Sequence, residues 1–275
     1  MNYIEIKVNQ SEEDQFKREL LVFELGELGY DAFQEFSDSI SAFIKEELFS
    51  ESHLDRIRKK FEDDQLIIEK KIHKENNWNK VWEDNFNPVS VNNDCVIRAS
   101  FHDIPSVRYD ILIDPDMTFG TGHHETTMLM SKQLFKEDIT QKDILDMGTG
   151  TGVLAIICSL LSARKILAVD IDERAVENSL KNIKLNGIEN IIVKKGDSSI
   201  MNNGTFHYIL ANINKNILLN DLCVYSRVIK EKGKILLSGF LNHDKKDILE
   251  EAEKNGLNFV DSIELNNWSL LILTK

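Results

Sequence analysis

The chain has 275 residues, of which 42% are hydrophobic, and it carries a formal net charge of −13. This apolar content is enough for a folded core and argues against disorder, and the acidic excess argues against sequence-independent binding of nucleic acid. The three cysteines, Cys95, Cys158 and Cys223, are far apart, which excludes a zinc ribbon and favours a reducing compartment. The N-terminus has no secretion-signal pattern, and no apolar run approaches the roughly 18–20 residues of a membrane helix. We therefore expect a soluble cytoplasmic protein.

Residues 1–72 predict a small α+β domain. The expected elements are a strand over 3–8, a helix capped by Ser11, a hairpin of strands over 31–36 and 40–44, a helix opened by Ser50 and a strand over 65–72. The apolar stripe of the first helix is expected at Phe16, Leu20, Phe23 and Leu28. This β-α-β-β-α-β order is the ferredoxin-like pattern. The region contains no glycine loop, so we expect a recognition module, with a simple packing domain as the alternative.

Residues 73–94 are interpreted as a linker with a short helix, in which Trp78 and Trp82 stand four positions apart. From residue 95 onwards strands alternate with helices, which predicts an α/β domain with a mainly parallel sheet over 95–275. The last two strands, over 257–263 and 268–274, are expected to form an antiparallel hairpin.

A glycine loop lies near the middle of this second region. Ile144 and Leu145 end an apolar strand, the loop contains Gly148, Gly150 and Gly152, and an apolar helix follows. A strand, a glycine loop and a helix in this order are typical of a nucleotide site. Free loop amides and the helix N-terminus favour an anionic group. Asp170 follows Gly148 by 170 − 148 = 22 positions, where doubly wound folds place an acid on a ribose.

A second loop, over 114–127, carries Phe119, Gly120, Thr121, Gly122, His123 and His124 just before a helix. Adjacent histidines face different ways, and the nearby acids lack a ligand spacing, so we expect no metal here. A glycine-rich loop with histidines is difficult to explain as core. Ligand contact is the favoured interpretation.

The strand ends narrow the choice of nucleotide. Gly150-x-Gly152-x-x-Ala155 satisfies the looser dinucleotide pattern, so glycine spacing alone leaves NAD open. Asp146, however, is an unfavourable charge beside a diphosphate and suits a cofactor that carries a positive charge. Asp197 and Asn212 follow two further strands and place acid and amide groups at the same edge of the sheet.

Six longer motifs, spread over most of the chain, are similar to those of a known protein family. In order they are D-P-D-M-T-F-G-T-G-H-H-E-T-T, I-L-D-M-G-T-G-T-G-V-L-A-I, V-D-I-D, L-A-N-I-N, L-L-S-G-F and W-S-L-L-I-L-T-K. The chain resembles the ribosomal protein L11 methyltransferase family, within the class I S-adenosylmethionine-dependent methyltransferases, over nearly its whole length. The loop over 114–127 departs from the family pattern G-T-G-T-H-P-T-T at His123 and Glu125, and Thr149 and Thr151 replace the usual cysteine or serine between the glycines of the other loop.

The resemblance implies roles for particular residues. Thr127, Gly148, Asp170 and Asn212 match cofactor-binding positions, Gly150 and Asp197 belong to the same site, and Phe119 and Thr121 are expected to close over S-adenosyl-L-methionine. Asn212 is expected near the point of methyl transfer, and His124 is a candidate for a catalytic role. The implied fold is a Rossmann-like methyltransferase domain after a ferredoxin-like domain.

The implied reaction is methylation of lysine side chains and of the N-terminal α-amine of ribosomal protein L11. We expect a monomer that needs neither nucleic acid nor a membrane. The alternatives are a methyltransferase acting on another protein, a small-molecule amine, glutamine or nucleic acid, a dinucleotide-dependent oxidoreductase, and a non-catalytic binding protein on the same fold. The family of glutamine methyltransferases has N-P-P-Y where this chain has N-I-N-K at residues 212–215.

Overall fold

The computed structural model describes residues 2–9, 15–36, 38–61, 66–73, 86–114, 118–201 and 205–275. The chain divides into two compact units, Met1–Phe86 and Asn87–Lys275. The second unit starts at Asn87 rather than at Cys95, because strand Val89–Asn92 pairs with the strand that begins at Cys95. Each unit is described by itself.

The first unit contains β1 (Tyr3–Asn9), α1 (Gln15–Glu27), β2 (Ala32–Glu35), β3 (Ser39–Lys45), α2 (Glu51–Lys60) and β4 (Ile68–His73). Its sheet has the order β2-β3-β1-β4 and every pair in it is antiparallel, which is the ferredoxin-like arrangement. The alternation in β1 buries Ile4, Ile6 and Val8 in the core of this unit. The predicted cap Ser11 and the predicted linker helix over 74–85 lie outside the described residues.

The apolar face of α1 differs from the predicted stripe. Leu21 and Leu25 are fully buried, whereas Phe23 is 61% exposed. Residues four apart share a helix face and residues two apart do not, so Leu21 and Leu25 place Phe23 towards solvent. The assignment of Phe23 to the stripe was therefore wrong. In α2 the side chain of Ser50 accepts a hydrogen bond from the amide of Ser52, as expected of an N-cap.

The second unit is larger. Its strands are β5 (Val89–Asn92), β6 (Cys95–Arg98), β7 (Tyr109–Leu112), β8 (Asp143–Met147), β9 (Lys165–Asp170), β10 (Ile191–Lys195), β11 (Phe206–Asn212), β12 (Ile229–Leu241), β13 (Asn258–Leu265) and β14 (Trp268–Thr274). Its helices are α3 (Glu125–Leu134), α4 (Val153–Leu160), α5 (Glu173–Leu185), α6 (Lys215–Val228) and α7 (Lys245–Lys254). Helix α7 had no counterpart in the sequence analysis.

The main sheet has seven strands in the order β10-β9-β8-β11-β12-β14-β13. The pairs from β10 to β12 are parallel, and β14 pairs antiparallel with both β12 and β13. Neighbouring residues of β8 enter different cores: Ile144 packs in one apolar cluster and Leu145 in the other. Helices therefore cover both faces of the sheet, and the architecture confirms the predicted fold class.

This topology positions the site. The parallel strands β8 to β11 end at one edge of the sheet, and the residues that follow those ends come together there. A separate sheet of β5, β6 and β7 belongs to the same unit. Within the described ranges, each helix is too short or too polar to span a bilayer.

Candidate functional site

A cavity of about 390 Å³ lies at the carboxyl ends of β8 to β11. Six residues proposed from the sequence line it: Phe119, Gly148, Gly150, Asp170, Asp197 and Asn212. The other three proposed residues, Thr121, His124 and Thr127, do not line it. Ile171, Ile217 and Asp221 also line the cavity. Ile171 lies within the V-D-I-D motif but was given no role, and no motif in the sequence marked Ile217 or Asp221.

The glycine loop has a conformation that requires glycine. Gly148, Gly150 and Gly152 have φ angles of 73°, 55° and 83°. A Cβ on Gly148 would lie 2.2 Å from Cγ2 of Ile213, and one on Gly150 would lie 2.3 Å from the carbonyl oxygen of Phe119. The absence of side chains thus allows the loop to pack against its neighbours.

Every backbone amide from residue 148 to residue 152 donates to another group of the protein. The pairs are Gly148 N and Thr149 N to Val169 O, Gly150 N to Asp170 Oδ2, Thr151 N to Phe119 O and Gly152 N to Thr149 O, at N···O distances of 2.8 to 3.0 Å. The expectation that free loop amides bind an anionic group was therefore wrong. A diphosphate needs such free donors, so this arrangement disfavours a dinucleotide.

Asp170 lies at the end of β9 with its carboxylate held by the backbone. Oδ2 accepts from Gly150 N at 2.9 Å, and Oδ1 accepts from Asp172 N at 3.0 Å. Each oxygen of a carboxylate has two acceptor positions, so both retain one position for a ligand donor. The side chain is fixed in direction and is able to accept from a pair of hydroxyls.

Asp197 follows β10 and is mostly engaged with its own turn. Its Oδ1 accepts from the amide and the hydroxyl of Ser199 at 2.9 and 2.5 Å. The hydrogen bond from the Ser199 side chain is the largest cause that lowers the pKa of Asp197. This carboxylate is exposed and caps the short turn Ser198–Ile200.

Asn212, at the end of β11, carries an unsatisfied acceptor. Its Nδ2 donates to Oγ1 of Thr127 at 3.4 Å, which sets the orientation of the amide. Its Oδ1 is buried, and no described group donates to it. A buried amide oxygen without a donor is destabilising by about 1–3 kcal/mol, so a bound ligand donor would stabilise it. Thr127, itself 1% exposed, acts through Asn212 rather than on the cavity.

Asp146 is not at the cavity surface, contrary to the interpretation that its charge faces the cofactor. It is 1% exposed, and its Oδ2 accepts from Oγ1 of Thr149 at 2.6 Å. Its Oδ1 has no donor among the described residues. Burial, followed by the repulsion of Asp170, raises the pKa of Asp146 to about 7 despite the hydrogen bond from Thr149. Asp146 thus supports the glycine loop from beneath.

His124 is the N-cap of α3. Its Nδ1 accepts from the amide of Thr126 at 3.3 Å and lies 2.8 Å from the hydroxyl of Thr126. Its ring lies edge-on to Phe119 and Trp268, with centroid distances of 5.2 and 4.7 Å. The lone pair of this ring nitrogen is thus already engaged by the backbone of α3. The geometry therefore gives His124 a structural role.

The two departures from the family loop make contacts of their own. Nε2 of His123 lies 2.9 Å from the carbonyl oxygen of Asn87, and its Nδ1 lies 3.1 Å from the hydroxyl of Thr121. Glu125 accepts from Nδ2 of Asn266, in the turn between β13 and β14, at 2.9 Å. Among the residues that the structure describes, no cluster of three or more His, Cys, Asp or Glu side chains is arranged for a metal ion.

Comparisons with known proteins identify the family of the chain. A family model described as ribosomal protein L11 methyltransferase matches residues 4–275. A ribosomal protein L11 methyltransferase of Bacteroides thetaiotaomicron is 40% identical over 279 residues, which covers 100% of each chain. The protein of the same name from Bacteroides fragilis is 39% identical over 274 residues, or 98% of each chain.

Among solved structures, a ribosomal protein L11 methylase from Lactobacillus delbrueckii subsp. bulgaricus superposes with a TM-score of 0.64 at 25% identity. That match covers 69% of this chain and 99% of the other. Because the family model spans almost the entire sequence and the relatives match it over their full length, the chain belongs to the ribosomal protein L11 methyltransferase family.

Proposed function

We propose that this protein transfers methyl groups from S-adenosyl-L-methionine to amino groups of ribosomal protein L11, namely lysine side chains and the N-terminal α-amine. The observation that carries the proposal is the acceptor Oδ1 of Asn212, which is buried at the cavity and has no donor among the described residues. The relatives of this chain are named for methylation of that ribosomal protein.

The lining residues fit the cofactor. Asp170 retains acceptor positions for the two ribose hydroxyls, and the backbone at Gly148 and Gly150 forms the part of the cavity wall on which the methionine portion is proposed to lie. Each loop amide already donates within the protein, so none is left to bind a phosphate. S-adenosyl-L-methionine contains no phosphate and therefore does not need such a donor. When bound, the cofactor supplies a methyl group that its positively charged sulfur already activates. Phe119 is half-exposed on the cavity and is proposed to shield that group from water.

The acceptor of the methyl group must be a neutral amine. A free lysine has a pKa near 10.4 and an α-amine one of about 7.7–8.0, and burial in the cavity lowers both because it disfavours the charged form. Asn212 is proposed to accept an N–H of this amine through Oδ1 and so direct the nitrogen lone pair. Thr127 keeps that oxygen in place by accepting from the amide nitrogen of the same side chain.

The ferredoxin-like unit is proposed to recognise the protein substrate. In β1, Ile4, Ile6 and Val8 are buried, whereas Glu5 and Lys7 alternate with them and are partly exposed. Within the described residues of this unit, both helices pack with the buried set in one core, so Glu5 and Lys7 point away from that core. The proposal places the reaction in the cytoplasm, with a monomeric enzyme that needs no nucleic acid or membrane.

The test is methylation of purified ribosomal protein L11 in the presence of the enzyme and S-adenosyl-L-methionine, followed by mass spectrometry of its peptides. We expect methyl groups on lysines and on the first residue. A sample of the ribosomal protein with chemically blocked amines is the control and should remain unmodified. Binding of the cofactor without any modification of the unblocked protein would refute the proposed substrate.

A variant that lacks residues 1–86 tests substrate recognition. Its remaining unit contains the complete cavity and both apolar cores of the main sheet. We expect unchanged affinity for S-adenosylhomocysteine and loss of methylation of the ribosomal protein. Normal methylation by this variant would place recognition in the second unit.

A further inference from the structure

Asp221 is a buried carboxylate at the cavity that neither the sequence motifs nor the proposed reaction uses. It lies on α6, lines the cavity and is 8% exposed. Its Oδ1 accepts from Oγ of Ser198 at 2.6 Å, and its Oδ2 accepts from the hydroxyl of Tyr225 at 3.0 Å. Burial and the neighbouring Asp221 raise the pKa of Tyr225 well above its usual value, so this phenol keeps its proton and donates.

The charge of Asp221 lacks a cationic partner. In the described part of the chain, none of the ion pairs includes this residue, and both of its donors are neutral hydroxyls. Each carboxylate oxygen has room for a second donor. Because a buried carboxylate with incomplete hydrogen bonding is destabilising, a ligand that donates a further hydrogen bond would be stabilised in return.

The position of Asp221 indicates which part of a ligand it meets. The neighbouring strands β8, β9 and β10 end side by side at the site. The glycine loop follows β8, Asp170 ends β9 and a further loop follows β10, so these three features lie next to one another in that order. Ser198, which donates to Asp221, belongs to that last loop. If the ribose lies on Asp170, the base attached to it extends towards β10 and away from the glycine loop.

The same region offers apolar surface for a flat ring. Ile171 and Ile217 both line the cavity and remain 70% and 44% exposed. Ile171 follows Asp170, and Ile217 lies four residues before Asp221, one helical turn away on the same side of α6. Apolar side chains suit the faces of a purine, and a carboxylate suits a donor on its edge.

We propose that Asp221 accepts a hydrogen bond from the exocyclic amine of adenine and thereby selects an adenosyl cofactor. This inference rests on the proposed function, because it places S-adenosyl-L-methionine in the cavity. Asp197 is the competing acceptor, but it is exposed to water and its Oδ1 already accepts two hydrogen bonds from Ser199. Asp221 is buried and therefore discriminates more strongly between ligands with and without the amine.

The test compares two ligands on two full-length proteins by calorimetry. The ligands are S-adenosylhomocysteine and its 6-deamino analogue, in which hydrogen replaces the amine. The wild-type protein should bind the adenosyl ligand about tenfold to hundredfold more tightly, as a hydrogen bond to a charged acceptor predicts. In Asp221→Asn this preference should fall by about tenfold. A purely structural role would weaken both ligands equally and leave the preference unchanged, which would overturn the inference.

Further variants separate the remaining outcomes. Asp221→Leu removes both acceptor oxygens, so the ratio of the two ligand affinities should come close to one. This variant replaces Asp221→Asn in the test if Asp221→Asn does not fold. Tyr225→Phe removes a donor to the same carboxylate but keeps the carboxylate, so it should retain the preference, as should Asp197→Asn. Loss of the preference in Asp197→Asn alone would overturn the inference.

The same measurement distinguishes failure of the inference from failure of the proposed function. If wild-type protein binds both ligands with equal affinity, the cofactor assignment stands and the role of Asp221 is refuted. If it binds neither ligand, the proposed function itself is refuted, and the inference with it.

Discussion

The cavity is bounded by two regions that are built differently. The glycine wall, residues 148–152, uses each of its backbone amides within the protein. The α6 wall, residues 212–221, instead presents side-chain oxygens, including Oδ1 of Asn212, which is unsatisfied, and the carboxylate of Asp221. The first wall therefore supplies shape and the second supplies acceptors. Selectivity for a ligand is expected to depend on the second wall, and the existence of the cavity on the first.

The largest effect, on stability and on cofactor binding together, is expected where the shape of the glycine wall is changed. In Gly150→Ala the new Cβ would lie 2.3 Å from the carbonyl oxygen of Phe119, a backbone atom that no side-chain rotation moves. We expect the free energy of unfolding to fall by about 2 kcal/mol or more and cofactor affinity to fall at least tenfold, as measured by urea titration and calorimetry.

Gly187→Ala is the matched control for this change. Gly187 has a similar φ of 65°, but nothing lies within 4 Å of a Cβ built there. In this variant the free energy of unfolding should fall by only about 1 kcal/mol, which is the cost of a non-glycine residue in the left-handed conformation, and cofactor affinity should not change. Equal losses in the two variants would show that backbone conformation, not contact with Phe119, determines the glycine requirement.

Asn212→Ala tests the acceptor of the α6 wall. Removal of an oriented amide that positions the amine should lower kcat by about a hundredfold or more and change KM for the protein substrate much less. Thr127→Val keeps the amide but removes the hydroxyl that accepts from it, so it should give an intermediate loss. A normal kcat in Asn212→Ala would remove the proposed role.

Asp170 joins the two kinds of wall, because it accepts from the glycine loop and also lines the cavity. Asp170→Asn should weaken cofactor binding about tenfold, as expected for loss of a charge-assisted hydrogen bond. Asp172 also lines the cavity, and Asp172→Asn removes the same charge but keeps the cap of α5, so it measures the effect of charge alone. Equal affinity of Asp170→Asn and wild-type protein would contradict the ribose assignment.

Asp146, which lies beneath the glycine wall and accepts from Thr149, is expected to make stability depend on pH. Its pKa is raised to about 7 in the folded protein, above the value of an unfolded aspartate, so the folded state binds the proton more tightly. Stability should therefore fall as pH rises from about 4 to about 7 and then level off. Urea titrations at pH 5 and pH 8 should show about 1 kcal/mol or more of this decrease in wild-type protein relative to Asp146→Asn. Parallel curves for the two proteins would indicate an ordinary pKa.

The two walls also differ in how far sequence predicts them. The glycine positions, Asp170 and Asn212 follow from strand ends and motif spacing, because parallel strands bring their carboxyl ends together. Asp221 gave no such signal, since its place at the cavity depends on the packing of α6 beside the loop after β10. The loop amides were expected to be free, because the sequence does not show which acceptors fold against them. These acceptors include the carbonyl of Phe119, which is distant in sequence.

The fold shows a similar division. The alternation in β1 and the order of the elements predicted both units. Phe23 was misassigned because α1 carries apolar residues on more than one side, and its sequence does not show which side packs in the core. Asp146 was misplaced because the sequence reveals a strand end but not whether its side chain points into the cavity or beneath the loop.

The smallest effect is expected at His124, which adjoins the glycine wall through Phe119. His124 is the N-cap of α3, and its Nδ1 accepts a hydrogen bond from the amide of Thr126. The side-chain oxygen of an asparagine can accept the same hydrogen bond. His124→Asn should therefore keep kcat within about threefold, whereas loss of a general base would reduce it about a hundredfold or more. Stability should fall by about 1 kcal/mol, because the edge-on contacts with Phe119 and Trp268 disappear. A kcat reduced about a hundredfold in this variant would restore His124 to the reaction and assign part of the chemistry to a residue outside the α6 wall.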